Sequence, residues 1–340
     1  MYVNLQDGYQ LLRVFNRHRL NNALKVFAGY FLSNIVRNPK VFGQPLSVSL
    51  EPTTACNLSC PQCPSGLKKF SRPTGNLKKE LYHTIIDEVS KKTGLLTLYF
   101  QGEPYINPNF FEMVKYAGER KMYTSTSTNA HFLTDDLAKK TVNSKLNRLI
   151  ISVDGTDQES YEKYRVGGNL EKVLEGTRRL VKWKQRLNSA TPVIIFQFIV
   201  FKNNEHQIKD IQRIGKELGV DKVAIKTAQI YDFESDTDWI PDDGQYARYK
   251  VVNGTWNIKN KLANKCSRIW KSTVITWDGR VIPCCFDKDA QHEFGKMQEG
   301  IEFSQIWNNP AYNQFRKSIL TSRKSNEICK NCTEGTKVWS

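Results

Sequence analysis

Apolar and polar positions change their period along this chain, and the changes mark out its elements. From Leu46 to Leu50 the order is strict, with Leu46, Val48 and Leu50 on one side and Ser47 and Ser49 on the other. That two-residue period predicts a strand. Further strands are expected at 95–101, 122–128, 147–154, 192–201 and 221–227, after a first at 46–53. Helical periodicity fills the gaps: 77–92, 108–119, 134–142, 158–187 with a break at Gly167–Gly168, and 205–218. The run 192–201, PVIIFQFIVF, is apolar almost throughout, as a strand covered on both faces should be. Six strand–helix units in alternation imply a parallel sheet with right-handed crossovers.

The flanks read differently. In residues 1–45, Leu12, Phe15, Leu20, Leu24, Phe27, Phe31 and Ile35 recur at three- to five-residue steps, which predicts one or two helices. Two readings stay open for them: packing across the sheet, or lying on a membrane surface, since Arg13, Arg17, Arg19, Lys25 and Arg37 add positive charge. Residues 232–265 are rich in Asp, Asn and Lys and read as a linker, with turn chemistry and room for a cover; its five aspartates between 232 and 243 read as solvated. Thr273 to Asp287 predicts a hairpin turning at Asp278–Gly279, followed by a helix over Phe303–Leu320. The expected division is 1–45 helical, 46–235 α/β, and 236–340 a small α+β module.

Cysteine placement brings in chemistry. All eight cysteines fall in two groups, three at 56–63 and five at 266–332. Clustering in a chain of this size points to metal rather than to a disulfide framework, and to a reducing compartment. No secretory signal pattern or membrane-length apolar run is visible, so a cytoplasmic location is expected. The formal charge of +16 is spread along the chain without a dense basic tract or nucleic-acid module. It fits an anionic small molecule or peptide, or a solvated surface, better than nucleic acid.

Cys56, Cys60 and Cys63 are spaced C-x3-C-x2-C just beyond the first strand. Three thiolates suit an iron–sulfur cubane that keeps one iron open; a zinc knuckle would want a fourth ligand nearby. This spacing resembles the radical S-adenosylmethionine (radical SAM) superfamily. The resemblance implies a partial (β/α)6 barrel of TIM type with an open side. It also implies that the open iron chelates SAM, and that reductive cleavage yields a 5′-deoxyadenosyl radical that abstracts hydrogen from a substrate. A flavodoxin- or ferredoxin-type reductant is then expected.

Further strand ends match the family. Gln101-Gly102-Glu103-Pro104 resembles GGEP with Gln first, and a carboxylate at 103 suits SAM's amino group. Ser127-Thr128-Asn129 resembles the S/T-N-G motif, with Ala130 in place of glycine. Ser152-Val153-Asp154-Gly155 followed by Tyr161 and Arg165 is similar to the SVDG…YxxxR pattern of the branch with extra clusters. It implies that Ser152 contacts SAM and that Arg165 pairs with its carboxylate. Gln197, the lone polar residue in its strand, is expected to be buried and to face SAM or a structural partner.

The C-terminal module resembles the SPASM extensions in their reduced, twitch-like form. Cys266, Cys284, Cys329 and Cys332 would then hold one fully ligated auxiliary [4Fe–4S] cluster. A zinc ribbon is the alternative. Cys285 is left over, because neighbouring strand residues point to opposite faces. The functional expectation is oxidation or dehydrogenation of a small molecule, with the auxiliary cluster taking the electron. Peptide or protein maturation is the alternative, and a non-enzymatic electron carrier a distant one. No residue is assigned to the substrate proton; His131 and Tyr231 are the candidates near the barrel mouth.

Overall fold

The computed structural model describes residues 5–259 and 261–332. The chain opens with two helices, α1 (Leu5–Arg13) and α2 (Arg17–Val36). Then come β1 (Ser47–Leu50), the single turn α3 (Pro64–Leu67), α4 (Lys79–Val89), β2 (Leu95–Thr97), α5 (Phe110–Glu119), β3 (Tyr123–Thr128) and α6 (Asp135–Asn143). The barrel continues through β4 (Arg148–Ser152), α7 (Gln158–Tyr164), α8 (Leu170–Arg186), β5 (Val193–Val200), α9 (Ile208–Leu218) and β6 (Lys222–Thr227). Each expected strand and barrel helix is present, shortened by a few residues at its ends except α6, which is displaced by one. The break at Gly167–Gly168 separates α7 from α8, and Asn169 caps the new helix by accepting from the Lys172 N–H.

Beyond β6 the chain forms a hairpin, β7 (Tyr249–Val252) and β8 (Thr255–Ile258), then α10 (Arg268–Lys271), β9 (Ser272–Ile275) and β10 (Val281–Ile282). Helices α11 (Phe303–Trp307), α12 (Pro310–Ser322) and α13 (Glu327–Lys330) follow. The stretch expected as one helix over Phe303–Leu320 is two, because α11 ends at Asn308 and Asn309 caps α12, which starts at Pro310.

The main sheet has eight strands in the order β10-β9-β1-β2-β3-β4-β5-β6. All neighbours are parallel except β10 and β9. It is a partial barrel, open between β6 and β10. Residues in register share a face, and the two faces differ sharply. Val48, Leu50, Leu96, Leu98, Leu149, Ile151, Phe196 and Phe198 point outward into one core with Ile85, Ile86, Met113 and Val114 of the helices. Inward, the register sets Ser49 beside Thr97, Thr97 beside Ser125, and Ser152 beside Gln197. Toward the strand ends the inner face is therefore short and polar, with Ile150 and Ile195 its larger residues one step below. Gln197 is half-buried, not buried as expected, because it opens on that interior.

Two expectations change. The hairpin at 273–287 does not stand apart: β9 pairs in parallel with β1 over Ser47–Leu50 and extends the barrel sheet. The stretch read as a linker at 232–265 is packed. Trp239 meets Tyr164 and Phe201 edge-on, and Phe233 stacks on Tyr249 at 4.6 Å between ring centres. The β7–β8 turn is Asn253–Gly254, a hairpin signal that its polar surroundings disguised.

Candidate functional site: a cysteine pocket at the strand ends

One pocket lies at the C-terminal ends of β1 to β4. Cys56, Cys60 and Cys63 line it, with Gly102, Glu103, Ser127, Asn129, Ser152 and Arg165. Six of the nine residues expected around SAM are thus together with the three cysteines. Pro104, Asp154 and Gln197 are not among the lining residues.

Each member is held by its local backbone. Gly102 sits at φ +72°, where a Cβ would come within 2.4 Å of the Thr53 carbonyl oxygen. Only glycine lets the two loops approach this closely. Its N–H donates to Ser65 Oγ at 2.9 Å, so the turn after Cys63 fixes the turn after β2. Glu103 is buried and accepts from Thr128 Oγ1 at 2.8 Å, the Asn129 N–H at 2.7 Å and the Tyr105 N–H at 3.2 Å. Burial nevertheless wins over these hydrogen bonds and pushes its carboxyl up to about 7. Pro104 is buried and starts the short turn that Glu103 caps.

Asp154 and Arg165 work as a pair. Asp154 is fully buried; it takes Arg165 Nε at 2.6 Å and Nη2 at 2.5 Å on one oxygen, and the Ile199 N–H at 2.7 Å on the other. The fork of Arg165 is therefore partly engaged, and its Nη1 points to Cys60 Sγ at 3.8 Å. Asn129 Nδ2 lies 3.9 Å from Cys56 Sγ and donates to Asn57 Oδ1 at 2.8 Å. Ala130 carries φ +64°, the left-handed conformation that glycine would hold without strain. Both His131 nitrogens are occupied: Nε2 accepts the Asn169 N–H at 2.8 Å, leaving Nδ1 to donate to Asn129. His131 is a brace between two loops. Tyr231 is exposed and does not line the pocket, and Lys288 Nζ lies 4.3 Å from its ring centre.

The second group of sulfurs lies in the C-terminal module. Cys284 is close enough to Cys266 and Cys332, and Cys329 to Cys332 and Cys266, for their charges to interact. Burial pushes the Cys329 thiol up to about 12, and Arg323 Nη2 donates to Cys332 Sγ at 3.4 Å. Pro283 follows the end of β10, so Cys284 and Cys285 lie on a turn rather than on a strand. Cys285 packs against Phe100, Val274, Ile282 and Ala290, with Arg268 Nη1 3.8 Å away, and its charge acts on Cys284 more strongly than those of Cys332 and Cys266 do.

A clamp joins the two groups. Arg72, nine residues after Cys63, forms a two-pronged buried pair with Glu51 at 2.8 and 2.6 Å. Its Nε also donates to the Lys288 carbonyl at 3.1 Å. Glu51 in turn accepts the Trp277 N–H at 3.2 Å, and the Ser71 N–H donates to Asp289 at 2.9 Å.

The donor set suits clusters. All eight cysteines are free thiols. Among the described residues no three Cys, His, Asp or Glu side chains converge on one ion. A cubane asks for no such convergence, since each thiolate binds a different iron.

Residues 50–214 match the radical SAM superfamily, and residues 266–333 match the SPASM iron–sulfur cluster-binding domain. The chain is a radical SAM protein. It therefore uses a SAM-binding [4Fe–4S] cluster and an auxiliary one. It is 26% identical, over 84% of its length and 86% of the relative's, to a tungsten-containing aldehyde ferredoxin oxidoreductase cofactor-modifying protein of Pyrococcus furiosus. It is 25% identical to a PqqA peptide cyclase of Bradyrhizobium diazoefficiens, over 86% of this chain and 80% of that one. Streptococcus suis SuiB bound to S-adenosylmethionine shares the fold, with a TM-score of 0.62 at 15% identity over 94% of this chain and 77% of that one.

Several lining residues were not singled out from the sequence: Leu58, Ser65, Gly66 and Tyr99. Counting by twos along β2 from Leu95 and Thr97 would have put Tyr99 on the inner face. Arg72 and Glu51 carry no local signal, because each acts through partners far away in the chain.

Proposed function

We propose that Cys56, Cys60 and Cys63 hold the SAM-binding cluster, and that Cys266, Cys284, Cys329 and Cys332 hold the auxiliary one. When bound, the first cluster with SAM supplies a hydrogen-abstracting radical, and the second supplies an electron acceptor. Glu103 accepts hydrogen bonds from SAM's amino group. Arg165 offers Nη1 to its carboxylate, while Asp154 holds the guanidinium in place. Ser127, Asn129 and Ser152 line the rest of the pocket, and Gln197 faces the same interior from β5. The reaction is oxidation of a substrate that enters by the open side of the barrel.

The observation that carries this reading is the pairing of β1 with β9. One strand launches the first cysteine loop and its neighbour leads to the second cysteine group, so an electron leaving the substrate has an acceptor close by. Lys288 lies near enough to both Cys63 and Cys285 to feel their charges; burial lowers its pKa, and an anion bound beside it would restore the charged form. It suits a substrate with an anionic group. A dehydrogenation of a small molecule fits this layout. The second reading, modification of a peptide, is favoured by the PqqA peptide cyclases, whose similarity spans most of this chain.

The test is an anaerobic reconstitution. About eight irons per chain, and 5′-deoxyadenosine formed from SAM with a reductant, are the expected results. Iron near half that amount, or intact SAM, would refute the proposal. Deuterium transfer into 5′-deoxyadenosine from labelled peptides or from labelled polyols and sugar phosphates then separates the two substrate classes.

A further inference from the structure

Helix α2 is turned the wrong way round for a helix that only covers a barrel. Its buried residues are Arg19, Asn22, Ala23, Val26, Gly29 and Ser33. Its exposed stripe is Leu20, Leu24, Phe27, Phe31 and Ile35, at steps of four, three, four and four. Exposure reaches 64% at Leu24, 62% at Phe31 and 78% at Ile35. Of 19 exposed large apolar side chains among the described residues, 12 lie between Leu5 and Phe42. Isolated exposed leucines need no explanation, but a continuous stripe does.

The inward face is fixed by polar contacts and cannot rotate to bury the stripe. Arg19 donates to the carbonyls of Ser90, at the end of α4, and of Arg120, at the end of α5, at 2.8 and 2.9 Å. A cation there complements two helix C-termini at once. Asn22 exchanges hydrogen bonds with Gln44 at 2.8 and 2.9 Å. At Gly29 a Cβ would come within 2.5 Å of the Lys40 carbonyl oxygen, and Ser33 bonds both that loop and its own helix.

Charge chooses what covers the stripe. Residues 8–45 contain no Asp or Glu. Arg17, Lys25 and Arg37 are exposed around the stripe, Arg37 with its Nη1 donating to the Asn264 carbonyl at 3.0 Å, and Lys271 Nζ lies 5.9 Å from the Phe27 ring centre. A second copy would set these cations against their own kind. No helix among the described residues is long and apolar enough to cross a membrane. Apolar and aromatic side chains rimmed by Arg and Lys match the interface of an anionic bilayer instead.

We propose that α2 docks this protein on anionic lipid surfaces, with Leu20, Leu24, Phe27, Phe31 and Ile35 in the acyl boundary and Arg17, Lys25 and Arg37 among the headgroups. The proposal is independent of the substrate. The experiment is sedimentation of the full reconstituted protein with vesicles of phosphatidylcholine alone, or with about one third phosphatidylglycerol. Binding to the anionic vesicles only, weakened by high salt, is expected. The double variant Leu24→Glu/Phe31→Glu should weaken it by roughly a hundredfold. Both side chains are exposed, so its thermal unfolding and its yield of 5′-deoxyadenosine should match the parent. Equal binding to neutral vesicles, binding that survives the double variant, or none to either vesicle would overturn the proposal. So would a dimer in light scattering that the double variant dissolves, which would assign the stripe to a second copy.

Discussion

The two cysteine groups are buried to similar degrees and differ in what surrounds them. Cys56, Cys60 and Cys63 line a pocket shared with Glu103, Ser127, Asn129, Ser152 and Arg165. In the second group Cys329 and Cys332 are buried and Cys266 and Cys284 half-buried, with Arg323 as a polar neighbour of Cys332. A site with a vacancy needs a cavity and groups to hold what fills it; a site that only passes electrons needs neither. Glu51 and Arg72 keep the two in fixed relation across more than two hundred residues of chain.

The sharpest way to break this comparison is to remove one sulfur from each side. Cys60→Ala should lower 5′-deoxyadenosine formation by roughly a thousandfold or more, because a site missing a ligand loses its metal. Cys284→Ala should leave SAM cleavage within about tenfold of the parent while product formation stops. Chromatography of both products after single turnover checks this; equal loss of SAM cleavage in the two variants would erase the distinction. Next in size is the clamp. Arg72→Met should cost about 3–5 kcal/mol of stability, since it leaves Glu51 buried without its partner. Denaturant unfolding measures the loss, and the Glu51→Gln/Arg72→Met double variant should lose less than the single changes summed.

Smaller effects sharpen the open side. Glu103→Gln should weaken SAM binding by about ten- to a hundredfold, the range for a hydrogen bond to a charged group. With its carboxyl near 7, Glu103 is mostly protonated at pH 6 and mostly ionised at pH 8. SAM affinity should therefore rise with pH across that window and become flat in Glu103→Gln, as read by equilibrium binding. Smallest of all, Ala130→Gly should stabilise the fold by at most about 1 kcal/mol, by relieving φ +64°. Thermal unfolding would report it, and SAM binding should stay unchanged.

Much of this was legible in one dimension. The C-x3-C-x2-C spacing, the glycine and carboxylate at 102 and 103, and the two-residue period of β1 are local facts, and local facts survive folding. Strand and helix identities followed for the same reason, since each element buries one side of its own sequence. Three matters had no local sign. The register of β9 on β1 depends on a partner more than two hundred residues distant. The hold of Asp154 on Arg165 depends on where α7 returns over β4. The outward turn of α2 depends on carbonyls that α4 and α5 leave unsatisfied at their ends. Those carbonyls exist only once the barrel is built, and they outweigh the apolar stripe that the sequence of α2 offers for burial.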